Sequence, residues 1–247
     1  MHAMAKLAEV ETKLFVREPM ALFWGLFFPV ALVTALGAFF PGFLDPTPDL
    51  AGARPIDVYG PIVLGLGLAT VALTTLPSIL ATYRQLGVLR RMRTTPVHPA
   101  WLLGAQLGVH VGVAATAAIL TVSVGVLAFD MAAPGRPVLF TLVFLLAAAA
   151  MLGMGLLIGA IARTVSAAQG IGMVVYFPML FFAGVWFPRD AMSDGLRNVS
   201  DLTPTGASVQ ALQDTWGGAA PRISNLIVMA VFAMVATALA ARLFRWE

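Results

Sequence analysis

Six stretches of the chain carry no Asp, Glu, Lys or Arg: Pro19–Leu44, Val58–Tyr83, Thr94–Phe129, Pro137–Ala162, Thr164–Pro188 and Ile223–Ala241. Each is at least 19 residues long, and an α-helix needs about 20 apolar residues to cross a hydrocarbon layer ~30 Å thick. The pattern predicts six transmembrane helices, over Met20–Phe40, Val58–Thr82, Ala100–Phe129, Val138–Ala162, Ala167–Phe187 and Ile223–Ala241. The period-two alternation of a membrane β-barrel is not seen. The expected fold class is all-α: a polytopic membrane protein forming a single domain over residues 1–247, with no room for a soluble catalytic domain.

Other segments follow different patterns. Over Ala3–Arg17, Met4, Leu7, Val10, Leu14 and Phe15 share one helical face, while Glu9, Lys13 and Arg17 form an i,i+4 ladder opposite them. Glu11 and Glu18 intrude on the apolar side. This predicts an amphipathic helix lying along the membrane interface before the chain enters the bilayer. Between the fifth and sixth spans, Pro188–Arg222 is rich in turn formers, with short helices expected near Ala191–Leu202 and Gly206–Asp214. Pro178 inside the fifth span removes a backbone donor and predicts a kink.

Composition narrows the function. The chain is 60% hydrophobic and only 11% charged, with a mean hydropathy of +0.89. A soluble domain carries roughly 25% charged residues, so a water-soluble enzyme is excluded, and so is disorder, which requires few apolar residues. Ten basic residues fall on the side of the termini, against five on the opposite side, where eight aspartates lie. Short loops rich in Lys and Arg stay in the cytoplasm, so both termini are expected there. Trp24, Tyr83, Trp101 and Trp246 at inner span ends, with Tyr59 and Trp186 at outer ends, fit the interfacial aromatic belt. Thirteen arginines against two lysines, with abundant Ala and Gly, point to a GC-rich bacterium. The chain therefore belongs in a bacterial cytoplasmic membrane, with lipid and not nucleic acid around it.

Cysteine is absent and only His2, His98 and His110 could serve a metal, too few ligands for a site. Neither Lys6 nor Lys13 follows a glycine, so there is no P-loop and no site for ATP or Mg on this chain. No HExxH motif occurs, and Ser78, Ser123 and Ser166 lack the context of an intramembrane protease nucleophile. No catalytic residue is assigned.

Four features carry candidate chemistry. Tyr83–Pro99 places Arg84, Arg90, Arg91 and Arg93 among Leu86, Val88, Leu89 and Met92, a short basic helix suited to a soluble partner or to anionic lipid. Gly104, Gly108 and Gly112 in the third span, and Gly155 and Gly159 in the fourth, form small-residue ridges that let helices approach closely. Gln106 and His110 sit i,i+4 on the side opposite the third span's glycines, where they either bond a neighbouring helix or line a substrate path. Tyr176 is a further transport-path candidate in the fifth span.

Several segments in order resemble a known family: the amphipathic start, YRQLGVLRRMRTTPVHPAWLLGAQ, the span exit FFAGVWFPRDAM, LRNVSDLTPTGASVQALQDTWGG and the terminal LFRWE. The chain is similar to the permease subunit of type-2 ABC exporters, close to daunorubicin-resistance permeases. The resemblance implies that Arg84–Pro99 docks on a separate ATP-binding subunit, which holds ATP and Mg, with Arg84, Leu86, Leu89, Arg90, Arg91 and Arg93 as coupling residues. It implies a connecting helix at Ala3–Glu18 and a partly re-entrant segment at Pro188–Trp216. It further implies a second permease, identical or paralogous, and export of an amphiphilic drug, antibiotic or lipid. Many members have acidic residues in the coupling stretch, where this chain has Gln85 and Val88. No Asp, Glu, Lys or Arg lies deep in a span, which disfavours a proton- or sodium-coupled carrier; the rival reading is an ATPase-independent carrier or channel, which a purified complex retaining a soluble ATPase argues against.

The charge asymmetry fixes an orientation that labelling can check. A single cysteine introduced at Ser193 should react with a membrane-impermeant maleimide in intact cells. Reaction only after permeabilisation would invert the topology.

Overall fold

The computed structural model describes residues 2–50, 52–92, 99–186 and 192–244. Its helices, in chain order, are α1 (His2–Arg17), α2 (Pro19–Phe39), α3 (Pro55–Gln85), α4 (Val88–Met92), α5 (Pro99–Phe129), α6 (Pro137–Ile161), α7 (Val165–Phe182), α8 (Asp194–Leu202), α9 (Pro204–Trp216) and α10 (Ile223–Leu243). No strand occurs among the described residues. Six of these helices are long and apolar enough to span a membrane, namely α2, α3, α5, α6, α7 and α10. They match the six predicted spans to within a few residues, except that the fifth ends at Phe182 and not at Phe187. Ala183 and Gly184 turn the chain there, Gly184 with a φ of +80° that suits glycine. The same helix runs through Pro178 without a break.

The bundle is built around α3 and α6. Of the most apolar window of each span, 78% is buried in α3 and 67% in α6, against 17% in α2, α7 and α10. The others are therefore peripheral, and their exposed Phe27, Val174 and Met234 suit a lipid or protein neighbour. What brings α3 so close to its neighbours is the absence of side chains at the crossings. A β-carbon at Gly155 of α6 would run into the Ala72 carbonyl oxygen, and one at Gly172 of α7 into that of Leu73. At Gly159 it would lie 2.7 Å from Leu80. The opposite side of α6 does the same with α10, where a β-carbon at Gly153 would lie 2.9 Å from Thr237 Oγ1. The small-residue ridge expected on the fourth span is thus a packing surface on two sides.

The ridge of the third span is not. Gly108 and Gly112 of α5 meet nothing within 4 Å and are exposed, while Gly104 is half-buried. These glycines do not bring helices of this chain together, because α5 turns its polar side inward.

The two ends of the bundle are tied separately. At the acidic end, Arg54 pairs with Asp57 at 2.9 Å, and Asp57 accepts the Ala132 N–H at 2.7 Å. The Gly135 N–H donates to the Trp216 carbonyl at 2.9 Å. From this end α9 folds back into the bundle: Thr203 caps it by accepting the Gly206 N–H, Pro204 starts it, and most of its residues are buried. Val209 reaches Gly65 of α3. At the basic end, the Arg84 guanidinium donates to the carbonyls of Gly159 (3.1 Å), Ala160 (3.4 Å) and Ala162. These are acceptors left over at the C-terminus of α6, where a cation is favourable. Phe244, just past α10, stacks on the same guanidinium at 5.4 Å.

The glycine crossings predict a sharp contrast. Gly155→Ala should lose about 1–3 kcal/mol of stability by overpacking, seen as a lower melting temperature in detergent. Gly108→Ala should match or slightly exceed the parent, since alanine favours helix by about 1 kcal/mol. Equal melting of Gly155→Ala and the parent would remove the crossing from the account.

Candidate functional site

Two prolines shape the site. Pro29 of α2 and Pro77 of α3 cannot donate to the carbonyl one turn earlier. In each helix the turns just ahead of the proline, Phe23–Phe27 and Val71–Thr75, widen to π geometry, the local form that accommodates such an interruption. These widened turns carry Trp24, Thr74 and Thr75 onto the wall of a cleft of about 790 Å³. The cleft opens at the basic half of the bundle, between α1, α2, α3, α5 and α7.

The hub of its wall is Glu11. Within α1, Phe15 is buried against α5 and Leu7 packs on the core, while Val10 and Leu14 stay exposed. Glu9 pairs with Lys13 at 2.5 Å on the outer face. Glu11, only 6% exposed, points inward. It accepts a hydrogen bond from the Tyr83 hydroxyl at 2.6 Å and another from Gln106 Nε2 at 2.7 Å, both on Oε2. Tyr83 lies in the last turn of α3 and Gln106 two turns into α5, so one carboxylate ties α1 to the helices before and after α4. Burial pushes the Glu11 carboxyl above its ordinary value, and the bonds from Tyr83 and Gln106 pull it part of the way back. Sequence reasoning noted Glu11 as an intruder on an apolar face but gave it no role. The signal was there: a carboxylate on a buried face requires partners.

The expected transport-path residues separate. Gln106 lines the cleft. His110 does not: it is fully buried, its Nδ1 lies 2.8 Å from the Gln106 carbonyl oxygen, and its ring meets Phe15 edge-on at 5.8 Å. Tyr176 shares a 2.8 Å hydrogen bond with Thr70 Oγ1, away from the cleft lining. His110 and Tyr176 are packed polar groups inside the bundle; Tyr176 is hydrogen-bonded, while His110 Nε2 is buried without a partner among the described residues.

The expected coupling residues separate too. Gly87, with φ at +69°, turns the chain from α3 into α4. Leu86 is 67% exposed and Arg91 is exposed. Leu89 is 1% exposed and belongs to the main core, so its side chain is not presented to a partner. Arg84 is drawn inward by the α6 carbonyls. Those two positions are corrected: the same arginine–leucine spacing that reads as a docking face alternates, on a five-residue helix, between the bundle and the outside. The side chain of Arg90 and the whole of Arg93 lie outside the described residues.

No curated protein matches the chain. The ABC-2 type transporter family matches it over residues 4–216, which takes in α1, five of the spans, the cleft and α4. Five of the six spans, the N-terminal helix with its Glu11 contacts and the glycine crossings of α3 thus sit within one matched region, and the chain belongs to the ABC-2 type transporter family, as the membrane subunit of an ABC exporter.

Proposed function

We propose that this chain is half of the membrane part of an ATP-driven exporter that moves an amphiphilic drug, antibiotic or lipid outward across a bacterial cytoplasmic membrane. Its basic end and both termini face the cytoplasm. A second permease, identical or paralogous, stands beside it, and two separate ATPase subunits hold the ATP and Mg. The observation that carries the reading is the cleft at the basic end, lined in part by α2 and α7, two of the three least buried spans. A second permease against those spans turns an open cleft into an enclosed path.

Force from ATP hydrolysis reaches the bundle by contact, and α4 with Leu86 is the cytoplasmic feature best placed to receive it. It follows directly on α3, the most buried span. Arg84 joins that same end to the C-terminus of α6, and Tyr83 joins it to α1. Displacement of α4 therefore moves both central helices and one wall of the cleft together.

Leu86→Asp tests the contact, since an exposed position tolerates the change without unfolding. It should insert normally and weaken co-purification of the ATPase by about tenfold or more, with transport lost in proportion. Normal ATPase binding and transport in that variant would place coupling elsewhere. Arg91→Gln separates the lipid-anchor account, which predicts altered lipid dependence with ATPase binding intact. Native mass measurement in mild detergent should give two permeases with two ATPases. Transport by the permease alone in liposomes would instead make the protein an ATPase-independent carrier.

A further inference from the structure

The cleft is one-sided in its charge. Its charged lining residues are Glu11 and Glu18, and no Lys, Arg or His side chain lines it among the described residues. Glu11 is buried with neutral partners only, and its Oε1 accepts no hydrogen bond among the described residues. Glu11 lines the cleft, and Oε1 is the oxygen its two partners leave unused.

The hydroxyls add to this bias. Thr74, Ser78 and Thr82 lie at i, i+4 and i+8 on α3, all on the cleft wall. Each commits its proton to its own helix: Thr74 to the Thr70 carbonyl at 2.6 Å, Ser78 to Thr74 at 2.7 Å and Thr82 to Ser78 at 2.8 Å. What these side chains offer a ligand is lone pairs. The Tyr83 hydroxyl and the Gln106 amide are likewise turned towards Glu11. The α1 and α3 side of the wall is therefore a line of acceptors ending in two carboxylates, beside the apolar faces of Trp24 and Phe15, while Thr75 and Gln169 add a hydroxyl and an amide without charge.

We infer that the cleft takes an amphiphilic cation, an apolar body bearing a protonated amine, whose N–H groups meet Glu11, Glu18 and the hydroxyl oxygens of α3. This rests on the reading of the cleft as the transport path and adds the substrate's charge. A cation beside Glu11 favours its ionised form and supplies the opposite charge that a buried carboxylate otherwise lacks. The aromatic face of Trp24 attracts the same charge. An anionic amphiphile meets two carboxylates and no cation, so the site rejects it as well as failing to hold it.

The test uses the full-length permease in nanodiscs of zwitterionic lipid, with two dyes on one xanthene frame: cationic rhodamine 6G and the anionic ethyl ester of fluorescein. Fluorescence anisotropy should show rhodamine 6G binding about tenfold or more tighter than the ester. Glu11→Gln keeps an acceptor for Tyr83, and the exposed Glu18→Gln leaves packing untouched. Each should weaken rhodamine 6G about tenfold and leave the ester unchanged or tighter. Ser78→Phe, which fills the cleft without altering its charge, should abolish binding of both.

Failure of the two ideas looks different. If Ser78→Phe blocks binding but the ester binds as well as rhodamine 6G, or neither glutamine variant weakens the cation, the cleft stands and the inference about charge falls. If Ser78→Phe leaves binding intact, or neither dye binds, the cleft is not the path and both fall.

Discussion

Backbone meets backbone where α3 crosses its neighbours, and the rest of the bundle is arranged around that approach. The carbonyls of Ala72 and Leu73 lie in the widened turn ahead of Pro77, and Gly155 and Gly172 press on them from either side. In lipid there is no hydrophobic force between helices, so association depends on close van der Waals fit. Glycine at both crossings supplies it. Packed closely against both α6 and α7 there, α3 is the most buried of the six spans. Its neighbours then divide the perimeter, and the cleft forms where α2 and α7 fail to meet across α3.

The same proline that widens α3 also shapes what the cleft displays. Thr74 sits in the widened turn, while Ser78 and Thr82 follow one and two turns later on the same face. Their hydroxyls satisfy backbone acceptors on their own helix, which stabilises them at the edge of a low-dielectric layer. A structural requirement, that every polar group find a partner, thereby sets the polarity a ligand encounters.

At the basic end, charge and burial are combined to fasten mobile parts. Glu11 holds α1 to the helices before and after α4, and Arg84 holds the end of α3 to the end of α6. Neither contact is a surface ion pair of small worth. Both place one charged group among several neutral partners in a half-dry setting, where hydrogen bonds to a charge are strong. Among the described residues of the connection from α3 through α4, Gln85, Leu86 and Arg91 are exposed.

The architecture was legible in the sequence wherever it depended on runs. Six charge-free stretches gave six helices, because a span must be apolar along its whole length, and the glutamate–lysine ladder of α1 formed as its spacing required. Gly155 and Gly159 behaved as close-packing residues, yet Gly108 and Gly112, of the same pattern, face outward. Spacing shows that a helix has a smooth face; only the tertiary structure decides whether another helix lies against it. Leu86 and Leu89 likewise look equivalent in a basic loop, and packing buries one and exposes the other. Glu11 is the clearest case. On its own helix it is a misplaced charge, and its partners stand 72 and 95 residues away. Sequence determined the spans, their charge-poor interiors and the basic end. The cleft, its acceptor-lined wall and the carboxylate at its hub were decided by tertiary structure, because each is made of groups from different helices whose mutual register no local pattern contains.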